Sequence, residues 1–212
     1  MQAMTDRLVV PTAAFSIDDP WALPAACTPV PLRRATDGGS PRLGTTVAAY
    51  HDDETLTLLF HFDDDEIVAT LYDHDAPLYT EDVVEAFLAP ERLEEYFELE
   101  VNPLGTTFDA RITSPDGIRA TMRADLAWTC DDFAAVLRTM IDGDQLTVDA
   151  VLRIPFASLG RSAPASGETW RANFFRIDRS EMYGDDYSAW QPTMKTPPDF
   201  HLAAAFGTLV FE

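Results

Sequence analysis

The chain has 212 residues, with 36 acidic against 15 basic side chains and a net charge of −21. That balance excludes the Lys/Arg patches that nucleic acid and anionic membrane surfaces require, and no apolar run approaches the ~18 residues of a membrane span. With 46% hydrophobic residues and 13 Phe, the sequence can bury a sizeable core, and its length suits one all-β domain over residues 1–212.

The first eleven residues lack the basic start and continuous apolar core of a signal peptide. The chain as written is therefore expected in the cytoplasm, and outside it if the N-terminus was trimmed. Trp21 follows Asp18, Asp19 and Pro20 and is expected to plug the N-terminal segment onto the domain. Cys27 and Cys130 are the two cysteines. They form no CxxC pair, which argues against an ordinary zinc site. They read as two buried thiols, or as a disulfide if the chain is exported.

Strand signals begin at 45–50. Next, Leu56, Leu58, Phe60 and Phe62 alternate with Thr55, Thr57, Leu59 and His61, the period of a strand with one buried face. Asp63, Asp64, Asp65 and Glu66 follow. Carboxylates crowded on a loop repel unless they are solvated or bridged by a hard cation, and Ca²⁺ takes six to eight oxygens. A calcium site at Asp63, Asp64 and Asp65 therefore stands beside a plain solvated turn. A strand is expected at 66–72, then a second acidic loop with Asp73, His74 and Asp75, then a strand at 83–88. Phe97, Leu99 and Val101 alternate with Glu98, Glu100 and Asn102. Further strands are expected at 106–113, 133–141, 146–153, 169–178 and 207–211, with Asp-Gly turns at 37–38, 116–117 and 142–143. Helix signals amount to single turns at 90–95 and 155–159. Ten or so strands at short intervals point to an all-β antiparallel sandwich.

Motifs for catalysis are absent from this pattern. His51, His61, His74 and His201 fall in no HExxH or Ser-His-Asp arrangement, and no carboxylate pair is singled out for glycoside hydrolysis. Binding is expected rather than catalysis. Met194, Lys195 and His201 crowd one loop and raise a haem-binding reading, but there is no CxxCH and no evident second axial ligand.

The last quarter is the most distinctive part. An apolar strand carrying Trp170, Phe174, Phe175 and Ile177 leads into a polar loop with Tyr183, Tyr187 and Trp190, and then to a strand holding Gly207. Aromatics on a loop either close the end of a sandwich or offer an apolar face to a ligand. The order NFFRID, acidic loop, SAW-P, FH, FG-L-F resembles the family 9 carbohydrate-binding modules and their free-standing bacterial relatives. The segments YTEDVVEAFLAP and YFELEVNPLGTTFD fit the same pattern. The resemblance covers roughly residues 15 to 212 and implies a jelly-roll-like β-sandwich that binds a mono- or oligosaccharide without catalysis.

It also implies a site in which two aromatics clamp a sugar and polar groups take its hydroxyls. By position these are Tyr79, where the family has tryptophan, and Trp190, with the carboxylate of Glu85 and with Tyr187 in place of an asparagine. The family's arginine falls on the strand 97–102, where this chain has Glu98 and Glu100; Arg111 on the next strand is the remaining candidate. Structural calcium is common in the family. The alternative is an interaction or scaffold module that kept the fold and lost the sugar site.

Overall fold

The computed structural model describes residues 6–212. Strands make up 43% of it, well above the quarter typical of globular proteins, and fall into two sheets. The five-stranded sheet runs β10 (Ala134–Asp142), β11 (Gln145–Pro155), β5 (Thr55–Asp64), β4 (Thr45–His51) and β2 (Val30–Pro31). The nine-stranded sheet runs β1 (Arg7–Val10), β14 (Gly207–Phe211), β12 (Thr169–Asp178), β6 (Val83–Ala89), β7 (Glu95–Val101), β8 (Thr107–Thr113) and β9 (Arg123–Asp125). β12 is long enough to pair twice on one side. Its first half meets β14, and its second half meets β13 (Asp186–Ala189), which in turn pairs with β3 (Arg33–Arg34).

The faces of the two sheets that oppose each other carry the main core. Phe60 and Phe62 of β5 and Val148, Ala150 and Leu152 of β11 pack against Val84, Ala86 and Leu88 of β6 and Phe174 of β12. Phe60 and Phe174 meet edge to face at 6.0 Å across the gap. The nine-stranded sheet is also covered on its other face, where Val83, Phe87, Tyr96, Ile112, Phe175 and Ile177 sit under Leu78, Phe200 and Phe206. Burial on both faces explains why β6 reads as a nearly unbroken apolar run, as in any strand without a solvent side. Cys27 and Cys130 are buried, unpaired thiols.

The expected strand at 66–72 does not form. That segment has no ladder partner. Side chains bind its backbone instead: Asp82 accepts from the Val68 N–H at 2.6 Å, and Glu81 accepts from the Thr70 and Leu71 N–H groups at 2.7 and 3.1 Å. These side chains stand in for a ladder partner at the Val68, Thr70 and Leu71 N–H groups. Residues 90–95 form bends and a turn rather than a helical turn, while Ala157–Leu159 is a short 3-10 turn.

The three carboxylates expected to hold calcium do not converge. Asp64 is buried against Arg176, whose Nη2 donates to its Oδ2 at 3.1 Å, and Asp65 pairs with Arg42. Arg176 also donates to the Asp63 carbonyl at 2.7 Å and to Asp178 at 2.8 Å. Two guanidinium groups thus supply the charge that a cation would have brought, and they close this end of the sandwich.

Candidate functional site

Alternation along the strands sends Glu85 of β6 and Glu98 and Glu100 of β7 to the outer face of the nine-stranded sheet. Glu85 lies directly opposite Glu100 in the ladder, and Glu98 is opposite Phe87. These three form the floor of a cavity of about 810 Å³, a volume within the usual range for small-molecule sites. Phe108, Ile112 and Ile177 extend the floor. The walls come from three stretches distant in sequence: the 3-10 turn Leu78–Thr80, the segment around Arg119 and Met122, and the loop from Lys195 to His201.

Each wall residue has a local reason for its position. Leu78 is fully buried and pins its turn, so the adjacent Tyr79 faces outward and is 55% exposed. Arg179, just past β12, joins that turn to β13. It donates to the Tyr79 carbonyl, pairs with Asp185, and reaches the Tyr187 hydroxyl at 2.8 Å. The Arg179 N–H is held by Asp82 at 2.7 Å. His201 shares a hydrogen bond of 2.9 Å with the Tyr96 hydroxyl and lies against the Phe87 ring.

The electrostatics of the floor are those of acids removed from water, with Arg179 and Arg119 favouring their charged forms only as the smallest influence. Glu85 and Glu100 are held well above the ordinary carboxyl range, first by burial and then by the neighbouring glutamates. Glu98 is pushed up to about 7 by burial, against a hydrogen bond with Glu100 that favours its charged form. That bond between two carboxyls requires a shared proton. Among the described residues, His201 is the one basic group at ion-pair distance from the three, with Nε2 3.7 Å from Glu98. Burial holds His201 neutral, lowering it to about 4. The floor can therefore accept hydrogen bonds from a ligand, and donate them while it keeps its protons.

A family model for carbohydrate-binding family 9 matches residues 40–211. The chain belongs to carbohydrate-binding family 9. Its fold is shared with solved structures at low identity. A candidate carbohydrate-binding protein from Bacteroides uniformis superposes with TM-score 0.70 at 17% identity, covering 97% of this chain and 99% of that one. A family 9 module from Caldicellulosiruptor kristjanssonii in complex with cellotriose gives 0.62 at 16%, covering 97% and 93%. A family 9 module from Caldicellulosiruptor kristjanssonii in complex with glucose gives 0.60 at 15%, covering 97% and 95%. No curated protein matches the chain.

Within this family 9 chain, the structure brings Tyr79, Glu85 and Tyr187 to one cavity and leaves two expected residues out. Trp190 is 3% exposed and lies in the core between the sheets. Its ring is tilted on Phe174 at 5.6 Å, and Gly207 leaves room for it. It is a core residue rather than a platform: it directly follows β13, and its backbone N–H donates to the Phe174 carbonyl at 2.8 Å, which sets it beside Phe174. Arg111 lies opposite Phe97 in the β7–β8 ladder, on the face away from Glu98. It pairs with Asp125 at 2.9 Å and borders a separate groove with Trp128. The residues that sequence reasoning missed are Arg179, Glu98 and Glu100 as site groups. The two glutamates stood where the family has an arginine, which was the available signal.

Proposed function

We propose that this family 9 chain is a non-catalytic sugar-binding module and that its ligand occupies the cavity over Glu85, Glu98 and Glu100. The reading is carried by the meeting of Tyr79 and Tyr187 with buried carboxylates around one sugar-sized space. Aromatic faces suit the C–H faces of a sugar ring, and carboxyl groups suit its hydroxyls. Family membership and the Caldicellulosiruptor sugar complexes support the same ligand class. Tyr79 is the exposed platform, Tyr187 and Arg179 form the adjoining wall, and the glutamates take the polar edge.

Calorimetric titration with glucose and cello-oligosaccharides tests this. Stacking on one ring contributes about 1–3 kcal/mol by analogy with base–aromatic stacking. Tyr79→Ala should therefore weaken binding about tenfold with little change in stability, since the ring is largely exposed. The burial of Trp190 favours a second reading, a scaffold module without a sugar clamp. That reading predicts no heat with any sugar.

A further inference from the structure

The floor of the cavity is acidic beyond what neutral hydroxyls need. Glu85, Glu98 and Glu100 are 2%, 8% and 1% exposed, and each offers an oxygen to a set lying within 4.8 Å of one another. Glu100 lines the cavity, and its Oε2 is buried with no hydrogen-bond partner. A buried carboxyl oxygen without a donor is unfavourable until a donor arrives. The nearby guanidinium groups are committed elsewhere: Arg119 pairs with Asp199 at 2.8 Å, and Arg179 pairs with Asp185. The place of a cation is open.

The geometry matches one kind of cation. An ammonium group has three N–H donors and no acceptor. A nitrogen about 2.8 Å from three oxygens, at tetrahedral angles, sets those oxygens about 4.6 Å apart. The three oxygens lie within 4.8 Å of one another, close enough for one such nitrogen to reach all three. A bare calcium ion is served less well, because it takes six to eight oxygens. The neighbouring backbone carbonyls are used in the β6–β7 and β7–β8 ladders, and the converging set holds one oxygen from each glutamate, so calcium would need all three carboxylates bidentate to reach six oxygens. Above them, about 810 Å³ walled by Tyr79, Tyr187 and Phe200 has room for an organic body attached to the cation.

We propose that the cavity takes an amino sugar, its protonated amine on Glu85, Glu98 and Glu100 and its ring between the aromatic walls. The proposal rests on the sugar-binding reading and narrows its ligand class from neutral to cationic.

The test is calorimetric titration of the full chain with glucosamine, glucose and N-acetylglucosamine at neutral pH, with CaCl₂ alone as a fourth titrant. N-acetylation keeps the ring and removes the charge. Charge-assisted hydrogen bonds to the floor should make glucosamine bind about tenfold tighter, or more, than either neutral sugar. In Glu100→Gln and Glu98→Gln, shape-conserving changes whose folding is checked by thermal melting, the ratio of glucosamine to glucose affinity should fall toward one. Glucose binding as tightly as glucosamine would overturn the amine proposal and leave the sugar-binding reading standing. No binding of any sugar would overturn both. Saturable calcium binding that glucosamine does not displace would assign the floor to a metal and likewise overturn the proposal.

Discussion

Gly207 is the glycine whose replacement should reveal most about this fold. A Cβ at that position would stand 2.5 Å from Trp190 Cη2, 2.6 Å from its Cζ3 and 3.0 Å from the Asp6 carbonyl oxygen. Ordinary carbon–carbon contact is about 3.5–4.0 Å, so the indole would have to retreat about 1 Å. It has little room to do so: its backbone N–H is bonded to the Phe174 carbonyl at 2.8 Å, and its ring lies among fully buried neighbours. Overpacking of this kind costs about 1–3 kcal/mol, and the upper half of that range is expected here. Trp190→Phe deletes the clashing atoms and loses stability on its own through the cavity it leaves. In the double variant the two losses should not add. A coupling of about 1 kcal/mol or more in the favourable direction is expected from urea midpoints of the four proteins. A neutral Gly207→Ala, or losses that add within about 0.5 kcal/mol, would refute the placement of Trp190 in the core.

Two further outcomes concern the buried charges. Arg176→Met should destabilise the chain by about 3–5 kcal/mol, because it strands Asp64 without its cation and leaves Asp178 with Arg42 alone; a loss below about 1 kcal/mol in urea unfolding would contradict the buried pairing. Stability should also fall as pH rises from about 5 to about 8. Folded Glu98 and Asp82, both raised to about 7, keep protons that the unfolded chain has already released, and Glu85 and Glu100 act in the same direction. The raised group's stabilisation is complete below its unfolded value and is lost through its folded one. His201, lowered to about 4, opposes this only below its ordinary value of 6.5. One such carboxyl contributes a slope of up to about 1.4 kcal/mol per pH unit, so Glu98→Gln should flatten the decline, and a urea midpoint that rises with pH over this window would contradict the burial of the floor.

The strands of the sandwich were legible wherever one face is buried and the other is not. Leu56 to Phe62 and Leu146 to Leu152 announced β5 and β11 by alternation alone. The stretch 66–72 is also rich in apolar residues, yet backbone N–H groups of Val68, Thr70 and Leu71 go to the Asp82 and Glu81 side chains, and nothing in the local pattern separates those two fates. Glu98 and Glu100 alternate with Phe97 and Leu99 like the solvent side of an ordinary strand. They are buried because Tyr79, Arg119 and the 195–201 loop roof that face, and these contacts span long stretches of sequence. Tyr79, Glu85 and Tyr187 were reached through the family pattern. Trp190 was misplaced because a loop tryptophan next to polar residues looks like surface, and the space made for it by Gly207 appears only in three dimensions.

The most direct test of the sugar-binding account is amide chemical-shift mapping of the full chain titrated with glucosamine. The account predicts shifts concentrated on Tyr79, Glu85, Glu98, Glu100, Arg179 and Tyr187, with the groove at Arg111 and Trp128 and the core position Trp190 left largely unmoved. Shifts centred on the Arg111 groove, or none at saturating sugar, would contradict it.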